Sequence, residues 1–123
     1  MKKKDFSHLS SEEYEVLRNK ATEKPFSGKL YYNKEKGSYH CKACGNKLFE
    51  SKDKFDSGTG WPSFHEALEG SVELKPDFKL IIPRIEVICS KCSSHLGHLF
   101  NDSPFPLGKR FCINSIALKF KKK

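Results

Sequence analysis

Two cysteine pairs of identical spacing, Cys41-Lys42-Ala43-Cys44 and Cys89-Ser90-Lys91-Cys92, constrain this chain more than any other feature of it. Each pair can present both sulfurs to one metal from a single tight turn. Four thiolates then complete a closed, tetrahedral, structural zinc site with metal–sulfur distances of roughly 2.3 Å. The 44 residues between the pairs exceed the span of a simple zinc ribbon, so a whole substructure lies between them and one zinc per chain clamps two hairpins together. A redox-active pair of thioredoxin type is the competing use of C-x-x-C; duplication of the pair favours zinc. His40, beside Cys41, reads as a strand surface residue rather than a fifth ligand.

Such a clamp matters because the chain is short and lean. Its 123 residues, 37% hydrophobic and 31% charged, fit one domain spanning 1–123 with a modest core. The formal charge of +8 suggests nucleic acid until it is located: Lys2, Lys3, Lys4, Lys121, Lys122 and Lys123 supply six charges, and eight minus six leaves about +2 for the body. The ends, about 1–6 and 121–123, therefore read as solvated and disordered, with no specific nucleic-acid partner. No apolar run follows the basic start as a secretion signal requires, and Leu80-Ile81-Ile82 is cut short by Pro83. The expectation is a cytoplasmic protein with no membrane partner and with reduced or metal-bound cysteines.

Ser10 and Glu13 form a capping-box pattern that starts a helix of about three turns within residues 8–24, with Leu9 able to staple Tyr14 and with Tyr14, Leu17 and Ala21 on one face. Beyond Gly28 short apolar runs alternate with turn residues: Leu30–Tyr32, Ser38–His40, Val72–Leu74, Leu80–Ile88 and Phe111–Phe120. These read as antiparallel strands, with Asn33–Gly37 as a hairpin connection. The fold class is mostly β: two small antiparallel sheets with a short N-terminal helical segment at their edge.

The fifth cysteine is ambiguous. Cys112 in Arg110-Phe111-Cys112-Ile113-Asn114 is either a small buried hydrophobe or a nucleophile. Arg110 and Asn114 share its side of a strand, where a guanidinium lowers a thiol pKa and a carboxamide can orient a polar group. His95-Leu96-Gly97-His98 places two imidazoles near the second pair, and Trp61 stands between turn residues in Gly58-Thr59-Gly60-Trp61-Pro62-Ser63-Phe64. Surface histidines and a core indole remain the plain alternatives.

In order, C-x-x-C, G-T-G-W-P-S-F, C-x-x-C, H-L-G-H-L-F and R-F-C-I-N-S resemble the B-type methionine sulfoxide reductases. The likeness runs from Tyr14 through Pro25-Phe26-Ser27-Gly28 and Lys54–Gly58 to about Leu118. It implies a β-tent-like pair of sheets with zinc far from the active site, and reduction of the R epimer of methionine sulfoxide, free or in polypeptides. It further implies Cys112 as catalytic nucleophile, with His95, His98 and Asn114 as its polar companions. Trp61 matches the aromatic wall for the substrate methyl group; Phe64, Asp102 and Arg110 are counted with it as substrate-binding residues, the two charges as supports.

Lowering a thiol pKa from roughly 8.5 to roughly 6.5 raises the thiolate fraction at pH 7 about 25-fold. The same shift costs about eightfold in nucleophilicity, a net gain of only about threefold. General acid catalysis contributes roughly 10² to 10⁴, so proton delivery to the sulfoxide oxygen by His95 or His98 matters more. Many members of the resembled family carry a resolving cysteine where this chain has Thr59. With four thiols on zinc, the Cys112 sulfenic acid needs direct reduction by thioredoxin or a small thiol. The rival reading is a zinc-clamped, non-enzymatic module that binds a ligand or protein and has no need of Cys112.

Overall fold

The computed structural model describes residues 6–104 and 108–123. Helix α1 spans Ser11–Asn19, and the expected capping box is present: Glu13 N–H donates to Ser10 Oγ and Ser10 N–H to the Glu13 carboxylate. Lys20 ends the helix in the left-handed conformation, giving nine residues. Its buried face is Val16 and Leu17; Tyr14, expected to pack, is 44% exposed.

Three strands form one sheet in the order β2-β1-β9: β1 (Gly37–Cys41), β2 (Lys47–Glu50) and β9 (Leu118–Lys122). Six form the other in the order β3-β4-β8-β7-β6-β5: β3 (Lys54–Phe55), β4 (Ser63–Phe64), β5 (Val72–Asp77), β6 (Arg84–Cys89), β7 (His95–Phe100) and β8 (Arg110–Ile113). All pairings are antiparallel. The core lies between the sheets, where Phe49 stacks on Phe64 at 4.2 Å and Tyr39 meets Phe64 edge-on at 5.1 Å. Aromatic pairs of this kind stabilise a lean core beyond the area they bury.

Several boundaries differ from the sequence reading. Residues 30–32 are turns, so Asn33–Gly37 joins no hairpin; Tyr31 and Tyr32 pack edge-on at 4.7 Å instead. Strand β6 begins only at Arg84, after the bend at 79–82. The Phe111–Phe120 run breaks into β8, a 3-10 turn at Ser115–Ala117 and β9, carrying the chain from one sheet to the other. Side chains cause the break: Leu30 N–H donates to Ser115 Oγ, and Ile116 N–H to Glu23 Oε1.

The lysine ends differ too. Lys121 and Lys122, expected in a disordered tail, pair in β9 with Ser38 and Gly37, because an open edge of β1 offers backbone partners. Phe6 packs on the core and beneath the Arg18 guanidinium at 4.2 Å. The remainder of the N-terminal basic end lies outside the described residues. Among the described residues no helix is long and apolar enough to cross a membrane.

Candidate active site and metal centre

Two turns of the same design build the metal centre. Cys41 N–H donates to Asn46 O and Gly45 N–H to Cys41 O; Cys89 N–H donates to Ser94 O and Ser93 N–H to Cys89 O. Gly45 and Ser93 hold the matching left-handed position in each turn, at φ 82° and 62°. The four sulfurs lie within 4.8 Å of one another, with Cys41–Cys92 at 3.7 Å and Cys44–Cys89 at 3.5 Å. Tetrahedral zinc with bonds of roughly 2.3 Å places its sulfurs roughly 3.8 Å apart, so the cluster fits that ion. Without a cation, burial and its neighbours push the Cys44 thiol up to about 12. The first pair lies between β1 and β2 and the second between β6 and β7, so a metal held by the four would tie one sheet to the other. His40 is not a ligand and is not on the surface: it is buried, with Nε2 at 2.8 Å from Ser38 Oγ and Nδ1 at 3.0 Å from Gly45 O, propping the first turn.

The second site forms on one face of the six-stranded sheet. Register places Ser63 opposite Cys112, Cys112 opposite His98 and His98 opposite Glu86, and directly paired residues share a face. A bulge between Val87 and Ile88 gives β7 one extra residue, so His95 comes round to the same face as His98, their rings 5.3 Å apart. Gly97 between them is obligatory: a Cβ there would lie 1.9 Å from the Cys112 carbonyl oxygen.

Cys112, His98, Trp61, Asn114, Arg110, Thr59, Arg84 and Thr22 line a cleft of about 120 Å³, below the size of a drug-binding pocket and suited to a single side chain. Trp61 is held by its indole N–H donating to Glu23 O at 3.0 Å. Asn114 is 2% exposed; it accepts from Glu23 N–H and donates to Leu96 O, binding two cleft walls together. Arg110 grips Asp102 through two hydrogen bonds, at 2.7 and 3.1 Å, and lies over Phe100.

Burial pushes the Cys112 thiol up; Arg110 opposes this and Asp102 weakens the opposition. The guanidinium expected to acidify the thiol is therefore outweighed. His98 Nε2 lies 2.7 Å from Asp77 Oδ2. His95 sits behind it, away from the cleft lining, its Nδ1 2.7 Å from Glu86 Oε2 and its Nε2 buried without a partner. Burial lowers the His95 pKa, against the opposing pull of Glu86. Phe64, expected at the substrate site, is fully buried in the core: strand parity sends Ser63 toward Cys112 and Phe64 the other way.

The SelR domain family matches residues 9–122. The chain belongs to the SelR family. It is 60% identical over 114 residues to the peptide methionine sulfoxide reductase MsrB of Methanosarcina barkeri, covering 92% of this chain and 80% of that protein. It is 53% identical over 121 residues to the mitochondrial methionine-R-sulfoxide reductase B2 of Rattus norvegicus, covering 92% and 70%. The crystal structure of the Mis18 "Yippee-like" domain superposes at a TM-score of 0.56 with 17% identity, over 72% of this chain and 98% of that one, a likeness of fold alone. The B-type reductase resemblance is thus borne out, and the binding-module alternative is not favoured.

In this SelR chain three carboxylates escape a reading of the sequence. Asp77 and Glu86 each face one histidine, and the Glu23 carboxylate accepts from Ile116 N–H while its main chain holds Trp61 and Asn114. Glu86 leaves a trace, a lone acid within Ile85–Ile88; Asp77 and Glu23 lie far from their partners in sequence and leave none. Thr59 lines the cleft with Cys112, so the position at which the resemblance leads one to expect a resolving cysteine holds a hydroxyl here.

Proposed function

We propose that this chain reduces the R epimer of methionine sulfoxide in peptides and proteins, with Cys112 Sγ attacking the sulfoxide sulfur. Membership of the SelR family makes it an oxidoreductase of this class. The observation that carries the catalytic assignment is the shared cleft: the one cysteine outside the metal cluster stands directly across β7–β8 from His98. The thiol proton ends on the sulfoxide oxygen. The oxygen leaves the substrate sulfur and remains on Cys112 as a sulfenic acid, releasing methionine; the substrate gains two electrons and Cys112 loses two.

His98, rather than His95, is the proton carrier, since it lines the cleft. With Nε2 donating to Asp77, Nδ1 is the nitrogen left to exchange the proton. Trp61 packs the substrate methyl group, while Asn114 and Arg110 hold the walls. Cys41, Cys44, Cys89 and Cys92 would hold zinc as four thiolates, and the ion there would supply structure rather than chemistry.

A reductant thiol, from thioredoxin or a small thiol, attacks the sulfenic sulfur and releases water; a second thiol then frees Cys112. A reducing cytoplasm suits both this cycle and the thiolate cluster. The test is mass analysis of reduced enzyme treated with a methionine R-sulfoxide peptide in the presence of a sulfenic-acid trap. Trap on Cys112 alone supports the reading. Unmodified Cys112 with full methionine release, or an intramolecular disulfide to a zinc ligand, overturns it.

A further inference from the structure

The β5–β6 hairpin ends in Phe78-Lys79-Leu80-Ile81-Ile82-Pro83. Connections of this kind ordinarily carry glycine, asparagine, aspartate and other polar residues. Here Phe78 is 72%, Ile81 101% and Ile82 76% exposed, and Leu80 is exposed beside them. A contiguous apolar tip on a small protein marks an interaction surface.

The residues at its base connect it to the cleft. Asp77 accepts from Lys79 N–H at 3.0 Å, meets Arg84 at 3.6 Å and holds His98 at 2.7 Å. Arg84 closes the hairpin on the other side and lines the cleft itself. Its guanidinium meets Asp77 through Nη2, which leaves Nε buried beneath the hairpin base. Arg84 therefore joins the base of the apolar tip to the cleft.

We propose that the tip docks the polypeptide on either side of the sulfoxide residue, with apolar neighbours on Phe78, Leu80, Ile81 and Ile82 and the main chain passing over Arg84 into the cleft. The inference rests on the reductase reading above and names its preferred substrate class: apolar polypeptide segments. Methionine oxidation disrupts the cores that methionine packs, so the segments bearing the lesion present apolar neighbours. A free amino acid can fill the cleft and still leaves the tip bare.

The test compares single-turnover reduction of three substrates: N-acetylmethionine sulfoxide, a decapeptide with the sulfoxide among Leu and Val, and the same decapeptide with Ser and Gln. Wild type is set against a Leu80→Ser, Ile81→Ser, Ile82→Ser variant, whose altered side chains are exposed and whose zinc content reports the fold. Wild type should favour the apolar peptide over the polar one by about tenfold or more. The variant should lose that preference through apparent affinity while reducing N-acetylmethionine sulfoxide at the wild-type rate.

Equal wild-type rates on both peptides, or a preference that survives in the variant, overturns the inference. An equal fall on N-acetylmethionine sulfoxide does so too, since the tip would then act through Asp77 and His98. So does an effect confined to multiple turnover with thioredoxin, which would assign the tip to the reductant. Wild-type protein inert on all three substrates defeats the reductase reading itself, a separate outcome.

Discussion

Cys112, the proposed nucleophile, has surroundings that pull in opposite directions. Burial raises its pKa, Arg110 lowers it, and Asp102, bound to Arg110, blunts that help. Iodoacetamide should therefore modify Cys112 slowly at pH 7 in the free enzyme, with a titration midpoint above that of an ordinary thiol. Arg110→Gln should move the midpoint up and Asp102→Asn should move it down; a wild-type midpoint below pH 7 contradicts this ordering. Thr59 gives a second prediction at this scale. Because it lines the same cleft as Cys112, Thr59→Cys should yield an intramolecular disulfide after one turnover, seen as a loss of two free thiols, whereas wild type yields none. Period-two alternation made the company of Arg110, Cys112 and Asn114 legible in the sequence. Phe64 lies in the core rather than at the cleft because the same alternation turns it away from Ser63 and Cys112. Asp77 could not be found at all, since only register brings it to His98.

At the scale of elements, the central device is the β7–β8 pair. A bulge turns His95 and His98 to one face, and Gly97 lets the backbones approach where no Cβ fits. Gly97→Ala should force the strands apart, costing about 1–3 kcal/mol or more of stability in denaturant titration. It should also cut single-turnover rate, since His98 and Cys112 face each other across that gap. A variant with wild-type stability and rate would show that the gap is not required. Helix α1 was legible from its capping box, a local signal. Strands β2 and β7 were not, because the first is four residues long and the second carries two histidines and a glycine in place of an apolar run. The aromatic Leu30–Tyr32 run was misread because such side chains pack equally well from a turn.

The whole molecule is two sheets joined through an aromatic core on one side and a four-cysteine clamp on the other. The clamp was legible because both halves repeat one short pattern; which sheet each half belongs to emerges only from the fold. With a core this lean, binding of zinc to the native state alone should account for a large share of the stability. Chelator should release one zinc per chain and lower the melting temperature by tens of degrees, while Cys112→Ser should leave both zinc content and melting temperature near wild type. Zinc release without a fall in melting temperature would remove the clamp from the account. In the proposed mechanism this architecture serves to set Cys112 opposite His98. The measurement that tests this most directly is single-turnover reduction of racemic peptidyl methionine sulfoxide by reduced wild type and Cys112→Ser, with the residual epimers separated and methionine counted per enzyme. The account expects about one methionine per wild-type chain, drawn from the R epimer alone, and none from Cys112→Ser. Methionine from the variant at the wild-type rate, or from both epimers alike, would contradict it.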